Sequence, residues 1–227
     1  MKGSYSRGAP SPRYRRLIEQ YQLMHENGDQ RLGIPPELMF AGQSLPRQAA
    51  HIKRWIERTG SQSILDYGSG KGEQYSLRRM LDPQTEIDHP DIRSYWGVKE
   101  IRCFDPAYEP FAELPSGSFD GVICTDVLEH CAEEDIGWIL DELFAFARKF
   151  VFANIACFPA RKHLPSGGNA HCTVKPQRWW QQRIERAASA KPALPYEFRL
   201  AYRKANEVRE QAITSASRPL VRHPDIP

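Results

Sequence analysis

Residues Asp66-Tyr67-Gly68-Ser69-Gly70-Lys71-Gly72 follow the apolar run Ser63-Ile64-Leu65 and carry the densest chemical signal in the chain. Glycine at 68, 70 and 72 admits backbone torsions closed to other residues and lets a ligand approach bare main chain. Amides opening a following helix would face an anion, while the Asp66 carboxylate suits an ammonium group. A second acid, Asp105, closes the next apolar run, Ile101-Arg102-Cys103-Phe104. One carboxylate can accept hydrogen bonds from both hydroxyls of a ribose, so a nucleoside-bearing ligand is implied. Phosphate-cradling readings weaken on the same residues. The dinucleotide fingerprint needs Gly or Ala where Glu73 stands, and a P-loop needs Ser or Thr after its lysine, where Gly72 stands.

The elements that must position these residues are legible as hydrophobic periodicity. Leu17, Ile18, Tyr21 and Met24 predict a helix over 15–27, and Ala49, Ile52, Trp55 and Ile56 another over 46–58, stopping at Gly60. Strands are predicted at 63–67, 101–105, 121–125 and 149–155. A helix over 73–81 ends before Pro83, and one over 133–148 carries acids early and bases late, as its dipole favours. A helix over 176–187 and an edge strand at 198–202 follow, and beyond 205 the polar chain reads equally as helix or coil. This β-α alternation predicts an α/β, Rossmann-like doubly wound fold: a mostly parallel sheet with helices on both faces and right-handed crossovers. Ligands bind such sheets beyond the carboxyl ends of strands, where the strand order reverses. The glycine loop, Asp105, Thr125-Asp126-Val127 with Glu129-His130, and the segment after Ile155 are therefore expected in one cleft.

The 227 residues suit one domain, divided as a disordered basic tail over 1–13, helices over 14–60, a ligand-binding core over 61–205 and a tail over 206–227. Lys2, Arg7, Arg13, Arg15 and Arg16 place five positive charges and no acid in the first sixteen residues, although the net charge is only +3. Such a cluster without interleaved aromatic residues reads as a solvated tail, whose removal is expected to leave folding unchanged. Nucleic acid is a possible partner but not the favoured one. No apolar run approaches a membrane span and no signal peptide is evident, so no membrane partner and a cytoplasmic location are expected. Five cysteines, an odd number partly in strand-like runs, read as reduced thiols. Oligomeric state is open.

Three segments together, Ile64-Leu65-Asp66-Tyr67-Gly68-Ser69-Gly70-Lys71-Gly72, Ser118-Phe119-Asp120-Gly121-Val122-Ile123 and Asp126-Val127-Leu128-Glu129-His130, resemble class I S-adenosylmethionine-dependent methyltransferases over roughly residues 60–155. The resemblance implies S-adenosyl-L-methionine as cofactor. It assigns Asp66, Gly68, Gly70 and Gly72 to the methionine end and Asp105 to the ribose, lines the reaction cleft with Thr125 to His130, and counts Tyr67, Ser69, Thr125, Asp126 and Val127 among the cofactor-binding residues. It departs from the family in two places. Asp105 follows Asp66 by 39 positions, about twice the usual spacing of ~20, so 82–96 reads as an insertion. The stretch between Asp105 and Phe119 is short, with Glu113 the acid nearest the position that usually meets adenine. Residues 159–173 resemble a loop of bacterial and phage-type methyltransferases of unassigned substrate.

This reading implies methyl transfer to an oxygen or nitrogen of a small-molecule or sugar-containing acceptor, in a pocket built by 82–96 and 157–175. Nucleic-acid methylation, transfer of a different group, and a non-catalytic cofactor-binding domain are the rival functions. His171 is the candidate general base, since a neutral imidazole removes protons near pH 7, and its alternative is a hydrogen bond that pins the loop. His130 either lines the site with a chemical role or caps a helix start. Cys157, His163, His171 and Cys172 match no usual zinc spacing, so no metal is expected. Of Trp179 and Trp180, one ring is expected in the core. Trp96 reads equally as a cover over the ligand or as core.

Overall fold

The computed structural model describes residues 5–40, 42, 44–75, 80–81, 88–205 and 207–215. Helix α1 (Pro12–Asn27) begins where the Ser11 side chain accepts from the Tyr14 amide, and α2 (Leu45–Thr59) buries Leu45, Ala49, Ile52 and Ile56 before Gly60 ends it. Then follow β1 (Ser63–Tyr67), the antiparallel pair β2 (Met80–Leu81) and β3 (Asp88–His89), α3 (Ile92–Trp96), β4 (Glu100–Phe104) and β5 (Phe119–Thr125). The chain continues through α4 (Ile136–Phe146), β6 (Ala147–Ala156), α5 (Gln177–Ala188), β7 (Tyr196–Lys204) and β8 (Glu207–Thr214).

Six strands form one sheet in the order β4-β1-β5-β6-β7-β8, parallel throughout except for the last pair. Alternation along each strand divides the core. Leu65, Tyr67, Val122, Cys124, Val151 and Ala153 pack under α1, α4 and α5, while Ile64, Ile123, Phe150 and Phe152 pack under α2 and α3. Each of the large buried side chains contributes roughly 1.5–3 kcal/mol over an exposed position. The result is the expected Rossmann-like α/β fold, with helices on both faces of a mostly parallel sheet. Strand order reverses at β1, whose neighbours β4 and β5 both follow it in sequence.

Four expectations are corrected. The helix over 73–81 is replaced by a single 3-10 turn at Glu73–Tyr75 and the strand Met80–Leu81, with 76–79 outside the described residues. The cause is the buried Asp66 carboxylate, which draws Gln74 Nε2 (3.2 Å) and Tyr75 Oη (2.7 Å) inward, while the Tyr75 ring packs on Trp96. The described part of 82–96 does not line the cavity at the strand ends: Ile92, Tyr95 and Trp96 are buried against α2, and the Trp96 indole donates to the Ala49 carbonyl. Residues 82–87 lie outside the described residues. The tail over 206–227 contains β8, an edge strand whose charged side chains suit an unpaired edge and conceal its pattern. Residues 216–227 lie outside the described residues.

The fourth correction concerns 1–13, of which 1–4 lie outside the described residues. Residues 5–13 are not a free tail. Arg7 enters a niche beside Trp138 and Phe104, forms an ion pair with Glu142 on α4, and donates from Nε to Glu142 Oε1 at 3.0 Å. The Ser11 amide donates to Asp135 Oδ1 at 3.0 Å, and Arg13 donates to the Cys172 carbonyl at 3.1 Å. We predict that Arg7→Ala lowers unfolding free energy by roughly 1.5–3 kcal/mol, the scale of hydrogen bonds lost to a charged group. A urea midpoint equal to that of the wild type would show instead that the segment only lies on the surface.

Candidate functional site

The carboxyl ends of β1, β4, β5 and β6 open into a cavity of about 910 Å³, within the usual ligand-pocket range of roughly 300–1,000 Å³. Asp66, Tyr67, Gly68, Ser69 and Gly70 line it from β1 and its loop, Asp105 from the end of β4, and Thr125, Asp126, Val127 and His130 from the end of β5. His171 lines it from the segment after β6. Of the residues assigned to the cofactor or to catalysis, Gly72 alone does not line it, and Glu129, also expected in the cleft, is buried beside it and accepts from the Ala156 amide. A Cβ on Gly72 would meet Cys103 Sγ at 3.1 Å and Phe111 at 3.0 Å, so that glycine serves packing behind the loop.

The loop is tightly folded. Gly68 (φ +83°) lies under Val127, whose methyl would be 2.3 Å from an added Cβ, and Gly70 (φ +58°) lies 2.4 Å, on the same measure, from the Phe40 carbonyl oxygen. Gly68 and Ser69 amides donate to the Phe104 carbonyl, Gly70 to Asp105 Oδ2, Lys71 to the Phe40 carbonyl and Gly72 to the Ser69 carbonyl. These amides are therefore satisfied within the protein. The expectation that loop and helix amides meet an anion is corrected, because no helix follows the loop among the described residues.

Asp66 is fully buried, and its Oδ2 takes both side-chain bonds, leaving Oδ1 without a partner. Burial raises its pKa to about 7, against the bonds from Tyr75 and Gln74. Asp105 accepts from the Gly70 amide through Oδ2 (2.8 Å) and from the Ala107 amide through Oδ1 (2.9 Å), and burial raises its pKa too. Each Asp105 oxygen keeps a second lone pair. Tyr67 turns its ring away to α4, its hydroxyl donating to Glu142 at 2.7 Å.

At the end of β5, Asp126 holds φ +53°, sparsely populated for a residue with a side chain. Its carboxyl is bonded by Asn154 from β6 and by Ser44, with Arg47 and His171 in electrostatic reach, while burial raises its pKa. His171 Nδ1 lies 2.6 Å from the Phe158 carbonyl and must carry the proton of that bond, which leaves Nε2 as the basic nitrogen. Burial lowers the His171 pKa, so the ring is neutral at pH 7. His130 packs edge-on to it at 4.8 Å. Its Nδ1 faces the Ala170 carbonyl and the Tyr21 hydroxyl, and burial with His171 pushes its pKa down to about 3. His130 is thus a fixed neutral wall rather than an acid or base.

Residues 25–51 supply a wall that sequence reasoning missed. His25, Ile34, Leu38, Phe40, Arg47 and Gln48 line the cavity, and Lys71 Nζ ties this segment to the loop through the Pro36 carbonyl at 2.7 Å. Their spacing carries no motif, since long-range packing alone brings them here. The other candidates fall elsewhere. Glu113 is exposed and pairs with Arg102 at 3.6 Å, Trp180 is core, and Trp179 packs under Arg183. All five cysteines are free, and among the described residues no group of His, Cys, Asp and Glu could hold a metal. Among them also, no helix is long and apolar enough to cross a membrane.

Comparison of the chain with protein-family models, with curated proteins and with solved structures found no match.

The Asp66 pKa of about 7 lies above its ordinary value of 3.8. Between those values the folded chain keeps a proton that the unfolded chain has released, so stability falls as pH rises from about 4 to 7, by on the order of 4 kcal/mol. We predict that Asp66→Asn is more stable than wild type near pH ~8 and that the advantage vanishes near pH ~4, read from urea midpoints. Parallel pH profiles for the two proteins would contradict the buried, half-satisfied carboxyl.

Proposed function

We propose that this chain is an S-adenosylmethionine-dependent methyltransferase acting on a small-molecule acceptor. The observation that carries the reading is the unpartnered, buried Asp66 Oδ1 at the point where strand order reverses, on a residue that lines the same cavity as Asp105 and His171. A buried carboxylate oxygen without a donor is costly unless a ligand supplies one, and an ammonium group does so with charge.

The residues fit the group in two respects. Asp66 would hold the ammonium, and the spare lone pairs on both Asp105 oxygens would take the ribose hydroxyls. They depart from it in a third, because the loop amides are already bonded and the loop glycines are covered by Val127, Phe40 and Phe111. The carboxylate would instead be met by Lys162, which lines the cavity over the Phe40 ring at 5.0 Å, beside the carbonyl that touches Gly70. When bound, S-adenosylmethionine supplies an electrophilic methyl on a sulfonium, open to in-line displacement.

The chain's own contribution is alignment, which lowers a barrier by roughly 7–11 kcal/mol when reacting groups are held in place. His171 Nε2 receives the acceptor's proton while Phe158 fixes the ring through Nδ1. His130 packs edge-on against the imidazole, and Asp126 acts on it electrostatically. A nucleic-acid acceptor is less favoured, because Arg7 and Arg13, two of the five basic residues near the N-terminus, are engaged by the protein itself.

The test is to incubate the protein with methyl-labelled cofactor and a fractionated metabolite extract, following S-adenosylhomocysteine and labelled product. Both should appear together, and His171→Ala should lower turnover by roughly 10²–10⁴-fold with cofactor affinity retained. Methylthioadenosine as the product would replace methyl transfer with transfer of another group. Full activity in His171→Ala would remove the base and leave alignment as the whole of catalysis.

A further inference from the structure

The cavity extends past the reaction cleft toward β7 and β8, where its polar lining changes sign. Arg47 from the first turn of α2, Arg161 from the segment after β6 and Arg203 near the end of β7 all reach it. Three separate elements thus aim guanidinium groups at one opening. Among the described residues none of the three forms an ion pair, whereas Glu210, the acid on that side, is already bound twice by Arg199. Arg203 lies over the Phe158 ring at 5.0 Å, and Phe158 is the residue whose carbonyl holds His171. Arg47 acts electrostatically on Asp126. Positive charge without an ion-pair partner therefore lines the cavity that His171 also lines.

Deeper in the same cavity two amide side chains are more than nine-tenths buried and incompletely bonded. Gln48 Oε1 on α2 and Asn154 Oδ1 on β6 have no partner, and both residues line the cavity. Buried carbonyl oxygens of this kind call for donors from a ligand. Guanidinium groups match phosphate or carboxylate in charge and in fork geometry. Exposed cations spread over a surface would suit a polynucleotide, but these three, though exposed, all line one cavity that also holds the buried amides.

We infer that the acceptor is a small anion bearing hydroxyl or amine groups, its phosphate or carboxylate held by Arg47, Arg161 and Arg203 and its donors read by Gln48 and Asn154. The word acceptor rests on the methyl-transfer reading; the anion site itself does not.

The experiment titrates the full chain with inorganic phosphate, succinate and tartrate at constant ionic strength, by calorimetry, and measures S-adenosylmethionine binding in parallel. At least one oxyanion should bind saturably, with phosphate against succinate deciding the head group. Its affinity should fall at least ~tenfold in the Arg47→Ala/Arg203→Ala double variant, whose substituted side chains are exposed, while cofactor affinity stays within ~twofold. Tartrate should bind more tightly than succinate, and the difference should close in Gln48→Leu. Equal oxyanion binding in wild type and double variant, or none in either, overturns the site. Tartrate equal to succinate overturns the role of the amides. Tighter binding of a single-stranded oligonucleotide, weakened by the same arginine changes, replaces the small anion with a polynucleotide. Anion binding without cofactor binding would leave this site standing and remove methyl transfer.

Discussion

A carboxylate buried at the end of the first strand, with one oxygen bonded and the other unmatched, organises what surrounds it. Taking Asp66 out of water is expensive, and Tyr75 and Gln74 offset part of that cost through Oδ2. To do so they turn inward in the 3-10 turn immediately after the glycine loop, where the Tyr75 ring packs on Trp96. Trp96 in turn donates to the Ala49 carbonyl and fastens α3 to α2. Oδ1 is left unmatched on a residue that lines the cavity, and proteins rarely leave such an atom without a use.

The sheet decides where that atom meets its neighbours. Because β1, β4, β5 and β6 run parallel, their carboxyl ends lie at one edge and deliver Asp66, Asp105, Asp126 and Asn154 together. The N-terminal region closes the remaining side. Tyr21 of α1 bonds the carbonyls of His130 and Ala170, so one hydroxyl joins the end of β5 to the segment that carries His171. Phe40 and Lys71 join the glycine loop to the stretch between α1 and α2. Both histidines are thereby fixed in place, His171 by Phe158 and His130 by Ala170, while burial keeps the rings neutral.

What was legible in the sequence follows from how local the cause is. Strands β1, β4, β5 and β6 announce themselves as apolar runs because parallel strands are covered on both faces, and helices α1, α2, α4 and α5 show their buried stripes at helical spacing. The glycine loop, Asp105 and Asp126 stand at strand ends, so topology alone brings them together. The failures have distant causes. Arg7 looks like a solvated cation until Glu142, 135 residues away, is placed beside it. The segment 73–81 has helical spacing, but a buried acid outside it claims its side chains. Strand β8 reads as charge because only its partner β7 reveals the pairing, and Arg47 and Gln48 of α2, Asn154 of β6 and Arg203 of β7 converge from three elements with no shared motif.

The central claim is that the half-bonded Asp66 carboxylate receives the ammonium of S-adenosylmethionine. Calorimetric titration of the wild type and Asp66→Asn with that cofactor near pH ~8 tests it most directly. The account predicts saturable one-to-one binding to the wild type, weakened at least ~tenfold, or about 1.4 kcal/mol, in the variant. Absence of binding to the wild type, or equal affinity for the two proteins, would contradict it.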